Sequence, residues 1–129
     1  MNHFNTKVIG KPLFNIQDIS EAVHDIALLR LETIDEADQY SNFVTTPKQD
    51  ESYYGTVILN TDDFIVLAIG KNKSFAVIHR KKDLNILNKN LNFRSDNNKL
   101  NNVNIQIHYN KNKAKVYPWA KKSQATIAA

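Results

Sequence analysis

The residues with which this chain could do chemistry are four histidines, His3, His24, His79 and His108, and the basic run Arg80-Lys81-Lys82 that follows the third of them. A metal-independent ribonuclease needs a base, an acid and a cation to hold the phosphate. His79, His108, Tyr109, Arg80 and Glu51 supply those types if the fold brings them together. Their spacing is not specific to that chemistry. Alternation along two strand-like segments sets His79 on a face with Phe75 and Val77, and His108 on a face with Asn104 and Gln106. His79 therefore reads as a half-buried core histidine and His108 as a surface one. No two histidines stand at helical ligand spacing, and His24 and Asp25 point in different directions on a helix, so no metal site is expected. Gly10, Gly55 and Gly70 are scattered singly. A phosphate loop needs glycines gathered where a strand meets a helix, so no nucleotide cofactor is expected and the chain reads as a non-enzyme.

Binding suits these residues better. The net charge is +4, but residues 1–50 hold 4 Lys and Arg against 8 Asp and Glu, whereas residues 51–129 hold 13 against 5. A positive half concentrates phosphate polymers or acidic proteins near its surface in a salt-sensitive way. Its cations gather at turns: Lys71 and Lys73 on one, Arg80, Lys81 and Lys82 after a strand, and Lys111, Lys113 and Lys115 on the last hairpin beside His108. These nine residues are the expected nucleic-acid or partner-binding set. Tyr53, Tyr54, Phe93, Tyr117 and Trp119 are candidate stacking partners, although aromatics at strand ends also plug cores. The plainer account of the lysines is a solvated, solubilising surface.

These residues must be held by a helical front and a β-rich remainder. Asp18 and Glu21 have the spacing of a reciprocal helix cap, and Ile19, Val23, Ile26 and Leu29 follow at helical intervals, predicting a helix over residues 19–32. Leu29, Leu31 and Thr33 also alternate as a strand would, while Thr33 and Glu36 could cap a second short helix; two helices are the expectation. Residues 45–51 carry no apolar period and contain Pro47, which marks a linker. From Tyr54 the period becomes two, predicting strands over 55–60, 64–69 and 74–80 joined by the turns Asn60-Thr61-Asp62-Asp63 and Gly70-Lys71-Asn72-Lys73. The second strand is apolar on both faces and must be covered twice. Residues 82–92 suggest a helical turn carrying Leu84, Ile86, Leu87 and Leu91, and the polar stretch to Asn102 reads as loop. Strands over 103–109 and 114–117 follow, joined by Asn110-Lys111-Asn112-Lys113, where asparagine tolerates the left-handed conformation. The fold class is thus α+β. An N-terminal helical segment (1–46) packs on a small five-stranded antiparallel, SH3- or OB-like curled sheet or barrel (54–117), and residues 120–129 form a flexible tail.

At 129 residues the chain is one domain, and it contains no cysteine, so disulfides, thiolate metal sites and a cysteine nucleophile are excluded. The first seven residues lack the apolar run of a signal peptide, and the longest apolar run, Phe64 to Ile69, is too short to cross a bilayer; a cytoplasmic location with no membrane partner is expected.

The order Tyr54-x-Gly55-x-Val57, Asp63-x-x-Val66, Ile69-Gly70, Val77-x-His79-x-x-x-Asp83-Leu84 and Val103-x-Ile105-x-Ile107-x-Tyr109-x-Lys111, ending in Lys115-Val116, resembles the KfrB-like domain of conjugative-plasmid proteins. The resemblance spans residues 54–117. It implies a mobile-element accessory protein, set in plasmid maintenance or nucleic-acid handling, and supplies no catalytic residues. The expected function is a non-catalytic binding module of a plasmid or phage, engaging nucleic acid or a nucleic-acid-handling protein through a basic face. A protein partner on the acidic helix is a further expectation. The alternatives are a protein inhibitor of a host enzyme, of the anti-defence or immunity type, and the small ribonuclease described above.

Overall fold

The computed structural model describes residues 11–34, 43–69 and 75–120. Its centre is the meander that the alternating pattern predicts. β2 (Ser52–Asn60), β3 (Phe64–Ile69) and β4 (Phe75–Arg80) lie antiparallel, with Leu67 opposite both Val57 and Val77. β2 also pairs along its first half with β6 (Asn104–Asn110), which pairs in turn with β7 (Lys113–Pro118).

Two short strands extend this set. β1 (Phe43–Thr45) runs parallel to β4, and β5 (Leu84–Ile86) runs parallel to β7. The result is a seven-stranded mixed sheet in the order β1-β4-β3-β2-β6-β7-β5. This corrects the expected five-stranded antiparallel barrel: the sheet is mixed, and β1 and β5 are its two ends, with no ladder between them to close it. Neither strand has a local signature, because each is three residues long and takes its partner from a remote segment. Residues 82–92, expected to contain a helical turn, divide instead into the end of a 3-10 turn (Lys81–Asp83), β5 and the start of α2 (Lys89–Asp96), which runs on into the stretch expected as loop and is capped by the Asn88 side chain accepting from the Leu91 amide at 3.0 Å.

The sheet buries both faces of its central strands, as the doubly apolar β3 requires. On one face Val57, Ile65, Leu67, Ile105, Ile107 and Val116 meet Leu91 and Leu100. On the other, Ile58, Leu59, Val66, Ala68, Ala76 and Ile78 lie under α1 (Glu21–Ile34). A β-bulge between Val57 and Leu59 puts Ile58 and Leu59 on the same side and returns Asn60 to the opposite core, where its carbonyl oxygen accepts from the Leu100 amide at 3.0 Å. Gly55 permits the sheet to curl. A Cβ there would be driven into the carbonyl oxygen of Ala68 on the neighbouring strand.

α1 begins later than expected and is capped differently. A 3-10 turn over Ile16–Asp18 precedes it, and Ser20 Oγ accepts from the Val23 amide at 3.4 Å, so the Asp18–Glu21 box does not form. The buried face is Ala27 and Leu31 with Val23, whereas Ile26 and Leu29 are exposed. The small Ala27 lets the helix approach the sheet closely, and Arg30 Nη1 donates to the Ile58 carbonyl at the bulge at 2.8 Å. α1 continues through Thr33, which excludes the strand alternative. The expected second helix falls on residues 35–42, outside the described residues, as does most of the expected tail. The expected linker is partly structured: Leu13 donates to the Pro47 carbonyl and Gln49 to that of Lys11, tying it to the chain before α1.

Candidate binding face

α1 covers the outer surface of β1, β4, β3 and the end of β2. Beyond it, the outer surface of β2, β6 and β7 is left uncovered by the described residues. Strand register dictates what stands there. Residues directly opposite in a ladder point to the same side, so three rows cross the strands: Ser52–His108–Lys115, Tyr54–Gln106–Tyr117, and Thr56–Asn104. Trp119 extends the last row through its amide bond to the Asn104 carbonyl at 3.2 Å. Every side chain in this grid is polar or aromatic. A face meant to be buried would carry aliphatic side chains in these positions.

The grid is internally ordered. Tyr54 stands edge-on to His108 and to Trp119, with ring centroids 5.3 and 5.6 Å apart, and Tyr117 lies 5.9 Å from His108. Tyr54 and Tyr117 remain exposed, at 42% and 37%. A chain of hydrogen bonds runs beneath them: Gln106 Nε2 donates to the Pro118 carbonyl at 2.9 Å, so its Oε1 is turned to accept from His108 Nε2 at 2.8 Å. That fixes the proton of the neutral ring on Nε2, and leaves Nδ1 to accept from the Ser52 hydroxyl at 2.8 Å.

The cations predicted from sequence divide into two groups. Arg80 is committed inward: its Nε and Nη2 bond Asp83 Oδ2 at 3.0 and 2.9 Å, and its guanidinium lies 4.2 Å over the Phe14 ring. Lys81 donates to the Ser95 carbonyl at 2.7 Å and to Asn98 Oδ1 at 3.0 Å. Burial pulls its ammonium below the ordinary lysine range, against the opposing pull of Asp62, Asp96 and Asp63. Lys82 completes a groove lined by those three carboxylates, Phe64 and the three cations of the run. Three cations and three carboxylates therefore share that groove.

Lys111, Lys113 and Lys115 sit differently, on the β6–β7 hairpin. Lys111 itself takes the positive φ of the turn, 60°, where an asparagine was expected, and its amide donates to Asp50 Oδ1 at 2.8 Å. Lys113 is solvent-exposed, 3.6 Å from Asp83 Oδ1, and Lys115 is exposed beside His108. Lys113 and Lys115 line a groove of about 500 Å³ with Asn85, His108, Asn110 and Tyr117, and Asp83 stands behind it as the partner of Lys113. Lys71 and Lys73 lie outside the described residues. Among the described ion pairs none joins a cation of the second half to the carboxylates of α1.

The ribonuclease constellation does not assemble. His79 points to the face of the sheet opposite His108, while Arg80 lies over Phe14 on the α1 side and is bonded to Asp83. His79 is fully buried beside Tyr53 and Tyr109; its Nδ1 shares a 2.6 Å hydrogen bond with the Tyr109 hydroxyl, and its Nε2 has no partner. Burial alone pushes its pKa down to about 3, so the ring is neutral. Among the described residues no group of three His, Asp or Glu side chains is placed to hold a metal ion, and no helix is long and apolar enough to cross a membrane.

No family model, curated protein or solved structure matches this chain. Its function has to be argued from the grid itself. The sequence had singled out Tyr54, His108, Lys115, Tyr117 and Trp119 separately and had set Gln106 on the face of His108; what it missed was Ser52 and Asn85, polar residues whose signal is their register opposite His108 and Lys115.

Proposed function

We propose that this protein is a non-catalytic, cytoplasmic binding module that holds single-stranded nucleic acid against the outer face of β2, β6 and β7. The observation that carries the reading is the coincidence, on a sheet surface that the described residues leave uncovered, of the exposed rings of Tyr54 and Tyr117 with a groove lined by Lys113 and Lys115. Single strands are gripped in this way, by bases stacking on aromatic side chains while cations track the phosphates. Duplex recognition would call for an element shaped to a groove, and a sheet surface with exposed rings is better matched to splayed bases. A plasmid or phage setting is the one that the KfrB-like resemblance implies.

The test is fluorescence anisotropy with labelled single- and double-stranded DNA and RNA over a salt series. Single strands should bind more tightly than duplexes, with affinity falling steeply as salt rises. Tyr54→Ala and Tyr117→Ala should each weaken binding by about 1–3 kcal/mol, the worth of one stacked base. A wild-type protein that binds no single strand at the lowest salt would end this reading.

A further inference from the structure

Past the Thr56–Asn104 row, the uncovered surface of β2 and β6 runs up against α1. Asn102 turns the chain into β6 at a φ of 72°, its amide donating to the Val57 carbonyl, and Ile58 stands at the bulge on the α1 side. With Arg30 and Thr33 of α1, these two residues line a cleft of about 200 Å³.

Arg30 is exposed, and among the described residues its side chain makes one hydrogen bond, from Nη1 to the Ile58 carbonyl at 2.8 Å. A guanidinium is a rigid fork of N–H donors, so a single bond pins the group at the bulge and leaves the rest of the fork for another acceptor. None of the described ion pairs includes Arg30. Helical spacing sets Glu21, Asp25 and Glu32 on the opposite flank of α1. The sequence hides this cation, because it belongs to the acidic half of the chain.

A second cation stands at the far end of the same surface. Lys115 is exposed in the Ser52–His108–Lys115 row, and it too has no partner among the described ion pairs. Between the two ends come the Tyr54–Gln106–Tyr117 row and the Thr56–Asn104 pair. From Ser52 to Ile58 is about 20 Å of extended strand, at about 3.3 Å per residue.

We propose that Arg30 is a second phosphate anchor, and that the bound strand runs lengthwise along β2 and β6, from Lys115 over the rings of Tyr54 and Tyr117 to the cleft at the bulge. The inference rests on the single-strand reading and deepens it by giving the backbone a path. Bases lie on the rings in the middle, and cations hold the backbone at both ends.

Anisotropy with a labelled single strand of about ten nucleotides, over a salt series, tests the anchor in the full-length chain. Arg30→Gln should bind about five- to tenfold more weakly at low salt and flatten the salt slope by about 0.7, the share of one single-strand phosphate. Lys82→Gln makes the same change in net charge and should bind as the wild type does. In the Arg30→Gln background, Thr33→Lys returns a cation to the cleft and should recover most of the affinity and slope. A weaker Arg30→Gln whose slope is unchanged, or that Thr33→Lys does not restore, has lost the Ile58 bond rather than a phosphate contact, and overturns the assignment. If the strand binds and Arg30→Gln equals the wild type, or Lys82→Gln weakens as much, the anchor falls and the single-strand reading stands. If no strand binds at the lowest salt, both fall.

Discussion

His79 and His108 are two histidines on opposite sides of one sheet, and their surroundings give them opposite physics. His79 has lost its water and gained a single partner, Tyr109, whose hydroxyl burial also makes harder to ionise. Its folded pKa is about 3 against 6.5 for a free ring. The sign follows from proton counting: between those values the unfolded chain holds a proton that the folded chain does not, so stability rises with pH and is complete above about 6.5. Urea unfolding should therefore show stability falling by about 1.4 kcal/mol for each pH unit below about 6. A His79→Asn variant, which keeps a polar group to meet the Tyr109 hydroxyl, should lose most of that slope. Strict alternation in β4 and β6 made the inward and outward placement of the two rings legible in sequence. Nothing in sequence revealed that His79 would reach Tyr109, 30 residues away, because that contact depends on how far the sheet curls.

At the scale of elements, curl depends on Gly55 and the bulge at Ile58. Gly55→Ala would force a methyl group into the Ala68 carbonyl, a backbone atom held in the β2–β3 ladder, and neither strand can retreat without breaking its pairing. Thermal or urea denaturation should show a loss of about 3 kcal/mol or more, at the upper end for overpacking. The long strands, six to nine residues each, were readable from period-two alternation or, in β3, from an unbroken apolar run between turns, which placed Phe64 and Ile69 as its ends. β1 and β5 were not, since three-residue strands in parallel pairings carry no turn signal and no period. The true α1 face was also missed. Ile26 and Leu29 continue a plausible apolar stripe, but the sheet selects the side with the smallest residue, Ala27, where the backbones can come nearest.

For the molecule as a whole, folding separates what the sequence presents as one positive half. Asp83 pairs with both Arg80 and Lys113, and Asp62, Asp63 and Asp96 surround Lys81, so on the β6–β7 hairpin Lys115 stands without a carboxylate partner among the described ion pairs. Substituting Lys82→Gln should leave nucleic-acid affinity within about twofold. Replacing Lys113 and Lys115 together by glutamine should weaken binding and reduce the salt slope by about two, one for each lost phosphate contact. The charge split was visible in the sequence; its redistribution was not, because the neutralising carboxylates come from loops that only the folded sheet brings alongside. The seam between β2 and β6 carries a last consequence. It joins Ser52 to His108 across 56 residues, and the two sides of the proposed binding face, Tyr54 and Tyr117, meet over it. During synthesis the β2–β4 meander can pair as soon as it emerges, whereas the seam must wait for almost the entire chain and for the slow closure of a long loop. A fragment that ends before β6 and β7 therefore lacks the Tyr54–Gln106–Tyr117 row altogether.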